Sequence, residues 1–199
     1  YYLAAENKEM AEGSPHLEVF KKKKLDVLFL TDPIDTFWLS MAGEFQDRKF
    51  VSITKGDIDL TAFSDDKKEK EKKPPAGMKG LVEKIKEILG ESVQDVKVST
   101  KLVDSACCLV APDTGMDVQM ERIMKIQNKD FKGMPRILEV NPDHNIIKKL
   151  NKIKDLDKDA FNDASFLLFD QAKMVEGELP MDIAKFNQRM SKFLGLALG

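Results

Sequence analysis

Apolar residues along this chain follow two different periods, and the change between them is sharpest near residue 30. Val27 to Leu30 is an uninterrupted apolar run, which is typical of a buried strand. Asp32 and Pro33 follow as a helix start, because a carboxylate accepts free backbone N–H groups and proline needs none at the first helical position. The apolar residues behind them recur at the spacing of one helix face: Ile34, Phe37, Trp38 and Met41. A strand leading into an amphipathic helix is half of a parallel α/β unit.

The same alternation of strand and helix signals extends over the first third of the chain. We predict strands at Tyr1 to Ala5, at Val27 to Leu30 in the centre of the sheet, and at residues 50–53. One helix is predicted to begin at Ser14, and the helix after Pro33 is predicted to end near Gly43. Short connections favour right-handed crossovers, so this part is predicted to be α/β, a small parallel sheet layered with helices.

A charged segment then interrupts the pattern. Residues 65–73 mix acidic and basic side chains without an apolar stripe, and Pro74-Pro75 follows. We therefore assign residues 1–62 to the C-terminal part of an α/β domain, residues 63–75 to a charged linker and residues 76–199 to a second domain.

The second domain carries shorter strand signals between helical ones. Met78 to Leu89 has one apolar stripe that ends at Gly90, which is typical of a helix and its C-terminal cap. Three short apolar runs predict strands: Val96 to Val98, Ala106 to Val110 and Ile137 to Val140. A turn at residues 141–143 is predicted to start a helix that runs to Ile153, and two more helices follow. The predicted class is α+β, a small sheet with helices and a two-helix tail.

The two tail helices carry more apolar surface than a small sheet can cover. Residues 157–175 have one apolar stripe and a second apolar face at Phe166 and Phe169, so this helix needs cover on two sides. A second copy of the chain would supply it in a four-helix bundle with two-fold symmetry. The predicted interface residues are Phe161, Leu168, Ala172, Val175, Ile183, Phe186, Met190, Phe193 and Leu194. The other interpretation is that these faces pack inside one monomer.

Composition and charge narrow the functional classes. The net charge of −2 supplies no basic field for nucleic acid, and no apolar run approaches the roughly 18 residues of a membrane span. Cys107 and Cys108 are adjacent in an apolar run and are predicted to pack within a strand. His16 and His144 are far apart, and His144 is predicted to lie in the capping region of its helix. With no phosphate loop and no metal-ligand spacing, we predict no catalytic, cofactor-binding or metal-binding residue.

Several strings also resemble one known family. Leu28-Phe-Leu-Thr-Asp-Pro-Ile-Asp35 is similar to the middle-domain signature of the ninety-kilodalton heat-shock chaperones, and Ser14-Pro-His-Leu-Glu18 fits the same domain. Leu138-Glu-Val-Asn-Pro-Asp-His144, followed by residues 147–150, resembles the C-terminal domain of that family. The resemblance spans nearly the whole chain and is strongest to the bacterial members. It implies a fragment, made of the end of the middle domain and the C-terminal dimerisation domain.

The resemblance implies a function as well. It implies a chaperone fragment that forms a homodimer through its last two helices and binds unfolded or partly folded client proteins. ATP and Mg would belong to an N-terminal domain of the parent, so the fragment is expected to have no enzymatic activity by itself. The end at residues 196–199 is expected to offer no acidic tail to helical-repeat co-chaperones. The implied compartment is the bacterial cytoplasm, and an organelle is also compatible.

Two segments are candidates for client contact. A predicted helix at residues 113–124 has a methionine-rich face, which adapts to many partners, although a core-facing stripe is the other interpretation. On the resemblance, the client-contact candidates are Met116, Met120, Ile123, Phe37 and Trp38; the last two depart from the family pattern by one position. Two other classes stay open. One is a monomeric α/β ligand-binding or enzymatic module with the tail packed on itself, and the other is a purely structural dimerisation protein.

Overall fold

The computed structural model describes residues 1–32, 34–56, 58, 60, 63, 75–112, 121, 124, 128 and 133–198, without the side chains of Thr36, Phe37 and Ser40. Contacts divide the chain into two units. The first comprises Tyr1–Lys73 and Val110–Ile137, and the second comprises Pro74–Leu109 and Leu138–Gly199. The first division lies inside the predicted linker. The chain then returns to the first unit for residues 110–137, which the predicted boundaries placed wholly in the second domain.

The sheet of the first unit is built on its first strand. Strand β1 (Tyr2–Ala4) pairs in parallel with β2 (Leu28–Leu30). On its other edge, Tyr2 forms a parallel bridge to Ser52, and the Ile53 N–H donates to the Tyr2 carbonyl at 2.9 Å. The predicted parallel pairing is confirmed. The predicted central position of the second strand is wrong, because β1 lies between its two partners, and the predicted third strand is a single bridge.

Short helices cover this sheet. Helix α1 (Lys8–Glu12) begins after Asn7, whose side chain accepts the Met10 N–H, and α2 (Glu18–Lys23) continues a 3-10 turn at Pro15–Leu17. Helix α3 is Asp35–Ala42. The buried core of this side of the unit consists of Leu3, Ala11, Leu17, Val19, Phe20, Ile53 and Leu60.

A hairpin follows α3 that the sequence pattern did not predict. Strands β3 (Glu44–Phe45) and β4 (Arg48–Lys49) pair antiparallel across a two-residue turn. Gln46 and Asp47 both have positive φ, 49° and 59°, as the tightest hairpin turns require. The usual sequence signal for this turn is Asn-Gly or Asp-Gly, and this turn has no glycine.

The second unit has one layered core. Helix α4 (Met78–Leu89) ends at Gly90, whose φ is +54°, and a 3-10 turn at Gly90–Ser92 leads into the sheet. The mixed sheet has the order β5 (Val93–Val98), β7 (Arg136–Val140), β6 (Cys107–Val110). Three helices complete the unit: α5 (Asn145–Ile153), α6 (Lys158–Val175) and α7 (Ile183–Leu198). The predicted helices and strands of this part are confirmed to within a few residues.

The core of this unit lies between the sheet, α4, α5 and α6. It consists of Met78, Leu81, Ile85, Leu89, Val93, Val96, Ala106, Cys107, Leu109, Leu138, Val140, Ile147, Leu150, Phe161, Leu168, Phe169 and Ala172. Each helix contributes residues spaced three or four apart, which is the period of one buried face. Residues of α7 do not belong to this core. Taken together, the observed fold is mixed α/β.

Candidate functional site

Helix α6 is the outer wall of the core. Asp157 caps its first turn by accepting the Ala160 N–H at 2.9 Å. Leu168 is only 4% exposed, and Phe161 and Ala172 are buried with it against the core of the same chain. These three residues therefore have almost no apolar surface left for a partner. Within this chain they are core residues, and their predicted place in an interface between two chains stays a prediction.

Both apolar faces of α6 find cover within the chain. Phe169 is buried in the same core, and Phe166 packs against it while partly exposed. The Cys107 thiol of β6 donates to the Leu168 carbonyl at 3.3 Å, which holds the helix to the sheet. The residue spacing correctly identified two apolar faces. It could not show that the sheet and the helices α4 and α5 supply enough surface to cover them.

Helix α7 has no such cover. All of its residues from Ile183 to Leu198 are described, and none is buried. Phe186, Arg189 and Phe193 are partly buried and share the side that faces α6. A second side is apolar and exposed. We define the α7 stripe as Ile183, Met190, Leu194 and Leu198, of which Leu194 is 54% exposed.

The turn between α6 and α7 extends this exposed apolar surface. Val175 at the end of α6 is exposed, as are Met174, Leu179 and Met181 beside it. Val175, Ile183, Met190 and Leu194 were predicted to form the interface, and all four are exposed in the single chain. Phe186 and Phe193 were predicted with them and are partly covered by α6. Soluble proteins seldom expose a contiguous apolar surface of this kind without a binding role.

Polar contacts hold α7 on α6. The Asp163 carboxylate of α6 accepts hydrogen bonds from Arg189 Nε at 3.3 Å and from Lys192 Nζ at 2.7 Å. The Lys192 ammonium, followed by Arg189, holds the pKa of Asp163 below its usual range. The Arg189 guanidinium also lies 4.3 Å from the centre of the Phe166 ring, a cation–π distance. The Asp163 carboxylate and the two cations of α7 are therefore paired with each other where the two helices meet.

A second carboxylate fixes the turn. Asp170 is 2% exposed, and its Oδ1 accepts the Met181 N–H at 3.2 Å. Burial raises the pKa of Asp170 above its usual value, and the hydrogen bond from Met181 opposes part of that rise. Lys173 and Glu178 form an ion pair across the same turn at 3.7 Å. None of these polar residues was singled out from the sequence, because charged residues at helical spacing usually mark a solvated face.

The first unit exposes a second apolar helix face, on α3. Asp32 Oδ1 accepts the Ile34 N–H at 3.1 Å, and Asp35 Oδ2 accepts the Asp32 N–H at 3.1 Å, so the two carboxylates cap the helix start reciprocally. Among the described side chains of α3, Leu39 is buried, at 7% exposure, and packs on Ala4 and Leu30. Asp32 accepts a backbone N–H as predicted, although α3 begins at Asp35, two residues later than the predicted start at Pro33.

Three residues of the apolar stripe that the spacing predicted on α3 are exposed. Met41 is 87% exposed, and Ile34 and Trp38 are exposed with it. Trp38 donates from Nε1 to Asp35 Oδ1 at 3.0 Å and packs edge-on against Phe50, with 5.7 Å between ring centroids. We define the α3 face as Ile34, Trp38 and Met41.

The remaining predicted client-contact residues lie outside the described part of the chain. They are Met116, Met120 and Ile123, together with the side chain of Phe37. Their role stays a prediction.

The described residues whose side chains could act as nucleophiles, bases or ligands have structural roles. His144 caps α5, and its Nδ1 accepts the Ile146 N–H at 3.2 Å, as its predicted position in the capping region implied. Both cysteines are buried and free in β6, as predicted. Burial raises the pKa of Cys107 to about 12. It raises the pKa of Cys108 as well, and the nearby Glu139 carboxylate adds to that rise, so both thiols stay protonated at neutral pH.

Within the residues that the structure describes, no three His, Cys, Asp or Glu side chains come together as metal ligands do. No described helix combines the length and the apolar character that crossing a membrane requires.

Two exposed apolar helix faces on a mixed α/β scaffold are typical of a protein that binds other proteins. Comparison with known sequences agrees: the family described as Hsp90 protein matches residues 1–199. The chain therefore belongs to the Hsp90 family.

Similar proteins come from bacteria. The chain is 40% identical over 194 residues to the chaperone protein HtpG of Burkholderia ambifaria. The HtpG proteins of Burkholderia cenocepacia and Burkholderia orbicola show the same identity over the same length. The match covers 98% of this chain and 30% of each relative, so the chain spans less than a third of their length.

Proposed function

We propose that this chain is the self-associating and client-holding part of a chaperone. Membership of the Hsp90 family supports the chaperone function, and one observation carries the self-association: the α7 stripe is apolar and exposed, and no residue of α7 is buried in its own chain. The full-length parent would use ATP and Mg²⁺ through a domain that the matched region does not include. We propose the cytoplasm as the place of action, as in bacterial relatives.

A second copy of the chain suits the α7 stripe. A helix that is covered on one side by α6 and apolar on an adjacent side pairs naturally with the same surface of a copy, because a two-fold axis makes one patch self-complementary. Helices α6 and α7 of two chains would form a four-helix arrangement in which α7 is central and α6 is the outer layer. Fully burying a Leu or Met side chain contributes about 1.5–3 kcal/mol, and each copy offers several.

The alternative is a monomer in which both tail helices pack entirely on their own chain. That rival requires α7 to be covered by its own chain, and no residue of α7 is buried. A small-molecule enzyme is not favoured by any described cluster of side chains.

The self-association is tested by light scattering after gel filtration over a range of concentrations. The intact chain is expected to show twice its 22.5 kDa mass at high concentration. Changing both Met190→Ser and Leu194→Ser is expected to shift it toward the monomer by about 100-fold in dissociation constant. Leu196→Ser is the matched control, since Leu196 is also exposed on α7 but lies outside the stripe. A monomer at all concentrations would contradict the proposal.

The α3 face is proposed as one client-binding surface. An unfolded polypeptide offers apolar side chains in no fixed order, and an exposed face with Trp38 and the flexible Met41 suits such a ligand. Met116, Met120 and Ile123 are proposed for the same role on the family resemblance.

Client binding is tested by the ability of the chain to slow aggregation of a chemically unfolded protein. Ile34→Ser with Met41→Ser is expected to reduce that ability at least about 3-fold while the melting temperature stays the same. Leu28→Ser, which alters another exposed leucine of the first unit, is the control. Equal protection by wild type and the α3 variant would remove the α3 face from the proposed function.

A further inference from the structure

The contact between α6 and α7 is organised by one carboxylate. Asp163 lies between two cations of α7, Arg189 at 3.3 Å and Lys192 at 2.7 Å, and its side chain is partly buried. Hydrogen bonds between charged groups are shorter and stronger than neutral ones. Arg189 is the more enclosed of the two cations, because its guanidinium also lies over the Phe166 ring.

These contacts determine how α7 is rotated about its own axis. Successive residues of an α-helix turn by about 100°. Arg189 bonds to α6, so Met190, the next residue, is carried away from α6, and Leu194 follows one turn later on the same side. If α7 rotated by a third of a turn, Arg189 would lose Asp163, and the α7 stripe would turn toward α6 or toward the opposite flank.

We propose that Asp163 is a positioning residue for self-association. Its bonds to Arg189 and Lys192 fix the rotation of α7 on α6 and so present the α7 stripe, already formed, to a second copy of the chain. This inference rests on the proposed self-association. Asp163 acts within one chain and makes no contact across the interface in this account.

The turn between α6 and α7 is held by contacts that do not involve Asp163. Asp170 holds the Met181 N–H, and Lys173 pairs with Glu178, so the turn has its own constraints. Loss of Asp163 is therefore expected to loosen the rotation of α7 without releasing the turn. Ordering a surface during binding costs free energy and therefore weakens the affinity, whereas a preformed surface avoids this cost.

The test measures dimer dissociation constants by sedimentation for wild type, Asp163→Asn and Asp163→Glu. Asp163→Asn is expected to raise the dissociation constant about 5- to 30-fold. Asp163→Glu keeps the carboxylate and is expected to recover most of the affinity. Asp143→Asn is the matched control, because it removes the carboxylate of an exposed pair with Lys148 elsewhere in the same unit.

A double-mutant cycle separates this role from general destabilisation. Lys192→Met keeps the bond between Asp163 and Arg189, and combining it with Asp163→Asn is expected to cost less than the sum of the two changes. If wild type dimerises and Asp163→Asn dimerises equally well, the positioning role is wrong while the proposed function stands. Additive effects in the cycle would also overturn it. If wild type itself is monomeric, the proposed function has failed first.

Discussion

Helices α6 and α7 are neighbours of similar length and similar apolar content, yet one is the wall of a core and the other has no buried residue. Leu168 of α6 is 4% exposed, whereas Leu194 of α7 is 54% exposed. The difference lies in what surrounds each helix: α6 packs against α4, α5 and strand β6, whereas the main described neighbour of α7 is α6. An amphipathic helix with a single neighbour leaves apolar surface for a partner. That is the physical basis for proposing that the second cover of α7 is another chain.

The largest expected effect is the difference in stability loss between a substitution in α6 and one in α7. Leu168→Ala removes a buried side chain from the core, so we expect the unfolding free energy of the second unit to fall by about 2–5 kcal/mol. Leu194→Ala, measured at a dilution where the chain is monomeric, is expected to cost less than about 1 kcal/mol. Denaturant titration at two protein concentrations measures both. Equal losses for the two variants would show that α7 is covered within its own chain.

The first unit offers the same contrast within one helix. Leu39 of α3 is buried and Met41, two residues later, is almost fully exposed. Leu39→Ala is expected to lower the unfolding free energy of this unit by about 2–3 kcal/mol, and Met41→Ala by less than about 0.5 kcal/mol. Thermal unfolding of the two variants checks this. A large loss for Met41→Ala would contradict this contrast, because it would show that Met41 packs in a core.

The smallest expected effect concerns the turn between α6 and α7 and depends on pH. Burial raises the pKa of Asp170, so the folded chain binds this proton more tightly than the unfolded chain does. The contribution of Asp170 to stability is therefore complete below the unfolded pKa of about 4 and is lost as the pH rises through the raised folded pKa.

Replacing Asp170 by Asn removes this titration and keeps an oxygen to accept the Met181 N–H. We expect Asp170→Asn to be as stable as wild type or up to about 1 kcal/mol more stable at pH 7. The advantage is expected to shrink toward pH 4. Unfolding titrations at a series of pH values measure it. A variant that is clearly less stable at pH 7 than at pH 4, relative to wild type, would show that the charged carboxylate stabilises the turn.

Much of the fold was predictable because local chemistry decides it. The starts and ends of α4, α5 and α6 follow from apolar spacing, from Gly90, and from caps such as His144 and Asp157. The parallel pairing of β1 with β2 followed from the strand–helix alternation. The hairpin of β3 and β4 was missed, since Gln46 and Asp47 give none of the usual turn signal although both adopt positive φ.

The candidate site was predictable only in part, because spacing identifies an apolar face without showing what covers it. On α3 the spacing identified an apolar stripe without showing that Ile34, Trp38 and Met41 are exposed. On α6 it identified apolar residues without showing which of them are buried in the core of their own chain. Of the interface residues predicted on α7, Ile183, Met190 and Leu194 are exposed, and their partner stays a proposal. Asp163 bonds to Arg189 and Lys192, which lie 26 and 29 positions further along the chain, and no local sequence pattern reveals such contacts.

Hydrogen exchange followed by mass spectrometry tests the central claim most directly, because it reads α6 and α7 separately in the same sample. Amides of residues 183–198 are expected to gain protection as the protein concentration rises through the dimer dissociation constant. Amides of residues 158–175 are expected to be protected already in the dilute monomer and to change little. If α7 exchanges equally fast at all concentrations, or if α6 is the helix that gains protection, a second copy does not cover the α7 stripe and the account is wrong.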